Sequence, residues 1–234
     1  MAGIWQAIVK NFITDDRWRY LTRGLQTTLI ITLGALILGV LLGAVIAIIR
    51  VSHDKADKPG LGLRFFNRIA KIYLAVIRGT PVMVQLLFAY YVIFVVMDPG
   101  KVVVAIVAFG INSGAYVAEI VRGGIVAIDL GQMEAGRSLG LNYQQTMLHI
   151  VLPQAFKNVL PALCNEGIAL LKETSVSGYI ALGELTRGAM QIASQTYDYA
   201  PPLIAISVIY LTVVLILTKL VNILERRLAQ SDRG

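Results

Sequence analysis

The sequence predicts an all-α integral membrane protein with about five transmembrane helices. Three observations indicate this class: the mean hydropathy is +0.70, only 15% of the 234 residues are charged, and the apolar residues lie in long blocks. A soluble domain would carry about 25% charged residues. The net charge of +7 does not indicate nucleic acid binding, because Lys and Arg cluster between the apolar blocks, as they do in membrane proteins.

The N-terminal segment, residues 1–23, is predicted to lie at the membrane interface as an amphipathic helix. Its apolar residues at helical spacing are Ile4, Trp5, Ile8, Val9 and Phe12. We expect no cleavable signal peptide, because Asp15 and Asp16 interrupt this region and the apolar block that follows is too long for a signal sequence.

The transmembrane region is expected over residues 24–225, and a charged tail, 226–234, follows it. Its five predicted spans are 25–49, 72–97, 102–121, 159–171 and 202–223. The Gly79-Thr80-Pro81 run predicts a break of the helix in the second span, because proline interrupts helices. Such a break frees backbone groups, which then need other partners. Gly39 and Gly43 form a small-residue pattern that favours close packing of the first span against a neighbouring helix.

The distribution of positive charge predicts the orientation. Five spans place the two termini on opposite sides, and the loops 50–71 and 122–157 share a side with the C-terminal tail. This side has about twice as many Lys and Arg residues as the other, so it is predicted to be cytoplasmic, with the N-terminus outside. No period of 20–50 residues and no repeated half is visible, which argues against repeat arrays and inverted repeats.

A cytoplasmic loop, 129–155, is more polar than the blocks on either side. A short helix is predicted over 131–139, ended by Gly140 in a left-handed conformation. Asn142 and Gln145 are spaced as in a capping box that begins a second helix, and Pro153 is expected to break or kink that helix.

The first of these two helices has the form of a docking element. It carries few large side chains, so it suits insertion into a groove of another protein. Glu134 and Arg137 would then make charge-assisted contacts at the rim of the groove. The residues alone leave open the alternative that the loop only connects two spans.

The same loop resembles a signature of ABC importer membrane subunits. That signature is Glu-Ala-Ala, three residues, Gly, nine residues, Ile, one residue and Leu-Pro. The corresponding residues of this chain are Glu134, Ala135, Gly136, Gly140, Ile150, Leu152 and Pro153, with Gly136 where the family usually has alanine. Three further stretches resemble the polar amino acid branch of these permeases: RGTPVMVQLLFAYY (78–91), NSGAYVAEIVRGGI (112–125) and LKETSVSGYIALGELTRGAMQI (171–192).

The resemblance implies a type I ABC importer membrane domain whose cytoplasmic coupling helix docks in a cleft of a separate ATPase. The expected docking residues are Glu134, Ala135, Gly136, Arg137, Gly140, Leu152 and Pro153. ATP and Mg²⁺ would bind to that ATPase, because the chain has no G-x-x-x-x-G-K-[ST] motif and is not an enzyme by itself. Further implied partners are a second permease subunit, identical or paralogous, and an extracytoplasmic amino-acid-binding protein at a bacterial cell membrane.

Polar side chains within the spans are candidates for substrate binding, because they are costly in a bilayer. The candidates are Arg78, Gln85, Asn112, Ser113, Tyr116, Asn165 and Glu166. Glu166 would pair with the ammonium group or a cationic side chain of an amino acid, and Asn165 or Gln85 would hydrogen-bond its polar ends. A structural cluster of hydrogen bonds between helices is the alternative.

Other polar residues have simpler predicted roles. Glu119 and Arg122 are three apart on one helix face and are expected to pair. His53 and His149 have no metal ligands at suitable spacing, and Cys164 is expected to pack in an apolar helix. Lys172 and Glu173 each need a partner or a wet cavity.

The function predicted from these observations is that of the membrane subunit of an ATP-driven importer for polar amino acids. Two alternatives remain from the residues alone. One is an ion-coupled secondary transporter with Glu119, Glu166 or Glu173 as proton relay, and the other is a membrane sensor module whose loop binds a signalling protein.

Overall fold

A computed structural model describes residues 2–56 and 58–230 of the protein. This part of the chain is built from helices and contains no strand. Its α-helices are α1 Ala2–Ile8, α2 Trp18–Lys55, α3 Leu61–Gly79, α4 Val82–Phe88, α5 Lys101–Val126, α6 Leu130–Ser138, α7 Tyr143–Thr146, α8 Leu152–Glu173, α9 Leu185–Thr196 and α10 Ala200–Gln230. Short π-helical segments, Val9–Ile13, Ala89–Ile93 and Met147–Val151, continue α1, α4 and α7.

The described residues include four helices that are long and apolar enough to cross a membrane, or up to five spans if one bent pair is counted as one. Three of the four are α2, α5 and α10, and the remaining one is the continuous helical path Tyr143–Ile180. The bent pair is α3 with the stretch Val82–Ile93. The predicted all-α membrane fold with about five spans is therefore confirmed.

The second predicted span, 72–97, is corrected by the structure. Its helix begins earlier, at Leu61, and bends by 106° between Gly79 and Val82. The break itself was predicted, because Pro81 has no amide hydrogen and the residue before it, Thr80, takes an extended conformation. The helix begins earlier than its apolar core because charged residues form helix as readily as apolar ones, and hydropathy does not detect them.

Other boundaries move for the same reason. Helix α2 extends from Trp18 to Lys55, well beyond the predicted 25–49, so the predicted loop 50–71 is helical over most of its length. A break at Pro153, one of the two predicted effects, is wrong, since the helical path continues from Met147–Val151 into α8. Pro153 removes one backbone hydrogen bond, and it does so directly after the π-helical segment, where the hydrogen-bond pattern changes. Residues 231–234 of the predicted tail lie outside the described residues.

The chain divides into two compact units. The first consists of the described residues of Met1–Leu36, Pro81–Gly110 and Gly167–Lys219, and the second of those of Ile37–Thr80, Ile111–Glu166 and Leu220–Gly234. The long helices α2, α5, α8 and α10 each contribute residues to both units.

The first unit has two apolar clusters. The larger one surrounds Phe109 of α5 and includes Ile31 of α2 and Leu86 of α4, all fully buried. The smaller one holds α9 against α2 and α10 through Leu185 and Ile192. Helix α9 and the 3₁₀ segment Thr174–Ile180 lie between the fourth and fifth predicted spans.

The N-terminal segment of the first unit begins with α1 and the π-helical stretch Val9–Ile13, and a buried asparagine holds it in place. The Asn11 side chain donates to Asp198 Oδ2 at 3.1 Å and accepts from Thr196 Oγ1 at 2.8 Å. Trp5 and Ile8 are exposed beside it, which suits a helix at a membrane interface.

The second unit is built on a close approach of α2 to α5. A methyl group at Gly39 would lie 2.9 Å from the Ser113 side chain, and one at Gly43 would lie 2.6 Å from Val117. The predicted use of these glycines for close packing is confirmed. This packing fixes the part of α5 that carries three of the seven candidate polar residues, Asn112, Ser113 and Tyr116.

Candidate coupling segment and substrate site

Helix α6 is closed at both ends by hydrogen bonds of its own segment. Its N-cap is Asp129, whose side chain accepts from the Gly131 amide at 2.6 Å. At the other end Gly140 has φ of 87°, as predicted, and the amide of Leu141 donates to Gly136 O at 3.1 Å. The amide of Gly140 donates to Arg137 O at 3.0 Å, which completes a Schellman motif.

Helix α7 begins with the capping box that the sequence predicted. The Gln145 amide donates to Asn142 Oδ1, and the Asn142 amide donates to Gln145 Oε1, both at 2.9 Å. These local hydrogen bonds fix the turn between α6 and α7 without help from distant residues. The segment 130–146 therefore forms a helical hairpin whose turn is held by its own hydrogen bonds.

Gly136 is the contact point between the two arms of this hairpin. It is buried, and a methyl group on it would lie 2.5 Å from Thr146 Cγ2 and 3.0 Å from Ile150 Cδ1. The glycine that replaces the usual alanine of the resembled signature thus makes room for the β-branched Thr146. This close contact is not evident from the sequence, because it depends on how the two arms pack.

Met133 connects the hairpin to the ends of the long helices. It packs on a cluster whose buried members are Val51 of α2, Ile125 of α5, Val151 of the π-helical segment and Ala155 of α8. A second contact joins α6 to α8, since Gln154 Nε2 donates to Gln132 Oε1 at 3.2 Å. A displacement of α6 would therefore act directly on helices α2, α5 and α8.

The opposite side of the hairpin is open. Glu134, Ala135 and Arg137 are exposed, and so is Leu139, with 80% of its surface accessible. A helix with one anchored side and one exposed side that carries both charges and an apolar residue is suited to dock on another protein. Leu152 and Pro153 are also exposed, at the first turn of α8.

A charged cluster lies on α3 and α5 of the second unit. Arg122 Nη2 is 3.1 Å from Glu119 Oε2, so the predicted pair is confirmed, and Arg78 Nη1 is 4.0 Å from the same oxygen. The Arg78 guanidinium also lies over the ring of Tyr116, 5.8 Å from its centroid. Two cations share one carboxylate, so the cluster has an excess of positive charge.

Glu166 has one identified partner in the same unit. Ser113 Oγ donates to Glu166 Oε1 at 2.8 Å and joins α5 to α8. Ser113 is fully buried, whereas Glu166 is partly accessible. The carboxylate has a second oxygen and further lone pairs with which it can accept from a ligand.

The remaining candidates are less closely grouped. Asn165 is exposed, Asn112 is buried and Gln85 is partly buried on α4 in the first unit. Lys172 and Glu173 end α8, also in the first unit. The structure therefore brings together Ser113 with Glu166, and Arg78 with Tyr116 and Glu119.

Two residues that stabilise the hairpin, Asp129 and Met133, were not predicted from the sequence. Asp129 stands directly before the apolar start of α6, which is the ordinary position of an N-cap, so the signal was present. Met133 gave no signal, because its role depends on the packing of helices that are distant in sequence. Among the described residues, no group of three or more His, Cys, Asp or Glu could hold a metal ion.

Comparison with known proteins decides the family. Residues 61–230 match the family described as the binding-protein-dependent transport system inner membrane component. The chain belongs to this family. It is a permease subunit of an amino acid ABC importer, which decides against the secondary transporter and the sensor module.

Individual relatives agree with this membership. The chain is 40% identical to the arginine transport system permease protein ArtQ of Bacillus subtilis, with 91% of this chain and 94% of the relative covered. It is 33% identical to the L-cystine transport system permease protein TcyB of the same organism, with 95% and 92% covered. The glutamine transport system permease protein GlnP of Escherichia coli is 37% identical, with 69% and 75% covered.

Solved structures give the same fold. The crystal structure of an amino acid ABC transporter with histidines matches with a TM-score of 0.82 at 41% identity, covering 89% of the permease and 94% of that chain. An inward-facing MetNI methionine ABC transporter matches with a TM-score of 0.75 at 20% identity, covering 92% and 98%. The type I importer fold that the resemblance implied is confirmed.

Proposed function

We propose that this permease carries a polar amino acid across the membrane by alternating access, driven by a separate ATPase that docks on residues 131–153. The observation that carries the proposal is the asymmetry of α6. Gly136 and Met133 fix one side of the helix to the protein, while Glu134, Ala135 and Arg137 stand free on the other. Gly140, Leu152 and Pro153 shape the ends of this docking segment.

The hairpin would act as a rigid coupling element. Its caps are local, so a force applied to α6 moves the hairpin as one body instead of unfolding it. Met133 would pass the displacement to α2, α5 and α8. ATP and Mg²⁺ bind in the ATPase, and their binding must favour one state of the permease by several kcal/mol to reverse its occupancies.

The substrate site proposed for this permease uses the polar residues of the second unit. Glu166 would bind the ammonium group, since Ser113 leaves part of its carboxylate available. Arg78 would bind the carboxylate, because Glu119 is shared between two arginines and neutralises only one. Further proposed contacts within this unit are Tyr116, Asn112 and Asn165. The transport systems named for the relatives carry arginine, cystine and glutamine, which supports a polar amino acid as substrate.

The assembly proposed around the permease contains a second permease subunit, identical or paralogous, two ATPase subunits and an extracytoplasmic amino-acid-binding protein. The orientation follows from charge: the N-terminus lies outside, and α6 and the C-terminus lie in the cytoplasm of a bacterial cell. The ATPase and the binding protein then meet the permease from opposite sides of the membrane.

Uptake by the assembled transporter in vesicles tests the proposed substrate site. ATP-dependent uptake of a polar amino acid is expected for the wild type. Glu166→Gln should weaken it roughly ten- to hundredfold, because a hydrogen bond to a charged group contributes about 1.5–3 kcal/mol. Glu225→Gln, an exposed carboxylate of α10, is the matched control and should leave uptake unchanged.

Unchanged uptake kinetics of Glu166→Gln across a panel of basic, amide and acidic amino acids would contradict the proposed site. Uptake by the wild type that does not depend on ATP would contradict the proposed mechanism itself. Co-purification of the ATPase with Glu166→Gln shows whether the variant still assembles.

A further inference from the structure

Helix α3 carries a surface that the proposed transport mechanism does not use. Residues four apart in an α-helix form a ridge along one side. One ridge of α3 consists of Arg64, Arg68, Ile72 and Val76, and the neighbouring ridge contains Ile69, Tyr73 and Ile77. The first ridge is therefore cationic in its N-terminal half and apolar in its C-terminal half.

An apolar groove runs between the two ridges. It has a volume of about 370 Å³ and is lined by Ile69, Ile72, Tyr73, Val76 and Ile77. The only polar atom of these side chains, the Tyr73 hydroxyl, donates to the carbonyl of Ile111 and offers little to a ligand. The groove can thus stabilise a hydrocarbon chain but not a polar molecule.

Among the residues that the structure describes, the cations at the N-terminal end of the groove have no acidic counterion. Arg64, Arg68 and Lys71 are exposed, and no Asp or Glu of the described residues forms an ion pair with them. Arg64 and Arg68 are four apart, so they repel each other on one face of the helix. An anion bound between them would relieve this repulsion.

We propose that this surface binds one anionic phospholipid. Its phosphate lies between Arg64 and Arg68, with Lys71 alongside, and one acyl chain lies in the groove. The eight residue steps from Arg68 to Val76 span about 12 Å of helix. The headgroup and the acyl chain therefore lie in their natural order along one ridge.

Charge complementarity decides between this occupant and a second copy of the chain. A symmetric contact of this face with itself would bring two sets of the same cations together and would be repulsive. A soluble phosphate would satisfy the arginines but would leave the groove empty. An anion with an apolar tail satisfies both parts.

Native mass spectrometry of the complete transporter, mixed with phosphatidylglycerol and phosphatidylcholine of identical acyl chains, tests the proposal. Wild-type transporter should retain phosphatidylglycerol over phosphatidylcholine. Arg64→Gln with Arg68→Gln should reduce this preference roughly tenfold, because each basic residue near an anionic headgroup strengthens its binding severalfold. Arg226→Gln with Arg227→Gln removes the same charge from two exposed residues of α10 and should have no effect.

Equal retention of phosphatidylglycerol by both double variants and the wild type would overturn the proposal, as would an equal loss in both double variants. The groove is tested separately by Val76→Trp, which fills it without changing charge and should lower retention of both lipids. A disulfide between Val76→Cys residues of two permease subunits, formed in native membranes with Cys164 replaced by serine, would show that a second subunit covers the groove and would refute the lipid site.

Discussion

Two short helices outside the predicted membrane spans, α6 and α9, both begin at an acidic N-cap but differ in how deeply they are buried. The Asp129 side chain that caps α6 is exposed, and α6 buries only Gly136 of its nine residues. The Glu184 side chain that caps α9 is fully buried and accepts from the amides of Thr186 at 2.7 Å and Arg187 at 2.6 Å.

The difference shows which helix is free to bind a partner. Half of the twelve residues of α9 are buried, including Gly188, so this helix is part of the core of the first unit. Helix α6 is anchored on one side only, and its charged residues remain available for docking. Changes in α9 should therefore affect the stability of the fold, whereas changes on the exposed side of α6 should affect coupling.

The largest effect is expected at Gly188. A methyl group there would lie 2.5 Å from the backbone carbonyl oxygen of Tyr20, and neither backbone can move without disturbing the packing of α2 on α9. Gly188→Ala should destabilise the permease by about 3 kcal/mol, the upper end for overpacking. Gly183→Ala, where no atom lies within 4 Å of the added methyl group, is the control for thermal unfolding in detergent. Equal melting temperatures would contradict a close contact at Gly188.

The buried cap of α9 should make stability depend on pH. Burial raises the pKa of Glu184 to about 7, against the opposing hydrogen bonds from Thr186 and Arg187. The unfolded chain loses this proton near its ordinary pKa of 4.5, so the folded state binds more protons between about pH 4.5 and 7. Stability should therefore fall as pH rises through this window, by roughly 2–3 kcal/mol in total.

Glu184→Gln removes this titration and isolates its contribution. The melting temperature of the wild type should decline relative to that of the variant as pH rises from about 4.5 to 7, the interval between the two pKa values. Glu225→Gln, in an exposed position on α10, should leave the profile of the wild type unchanged. A constant difference between wild type and Glu184→Gln would show that this carboxyl does not titrate in the window.

A smaller effect is expected at the contact inside the hairpin. Gly136→Ala would place its methyl group against Thr146 Cγ2 and should cost about 1–2 kcal/mol through overpacking. Thr146→Ser removes that methyl group but keeps the hydroxyl that donates to Asn142 O at 3.0 Å. In thermal unfolding, the double variant should recover part of the stability that Gly136→Ala loses. If the losses of the two single variants instead add up in the double variant, the two residues are not in contact.

Features that depend on neighbouring residues were predictable from the sequence, and features that depend on contacts between distant residues were not. The capping box at Asn142, the left-handed Gly140 and the break at Pro81 were predictable because each depends on a few neighbouring residues. The apolar blocks located the spans but not their ends, since α2 and α3 continue as helix through charged residues. The burial of α9 was not predictable, because its contacts with Tyr20 and Gly24 join residues more than 150 positions apart.

The contacts of the candidate substrate site were also predictable only where they are local. The pair of Glu119 and Arg122 followed from their spacing on one helix. The bond from Ser113 to Glu166 joins α5 to α8 and needed the tertiary packing. The approach of Arg78 to Tyr116 depends on the packing of α3 against α5, which no local pattern determines.

The docking of an ATPase on α6 is tested most directly by a charge reversal on the exposed side of this helix. Glu134→Lys reverses a charge that has no role in the caps or the packing of the hairpin. Reconstituted with its ATPase and binding protein, this variant should fold and insert but lose ATP-driven uptake, while Glu225→Lys retains it. Uptake per ATP hydrolysed that stays at the wild-type value in Glu134→Lys would contradict the docking of an ATPase on this helix.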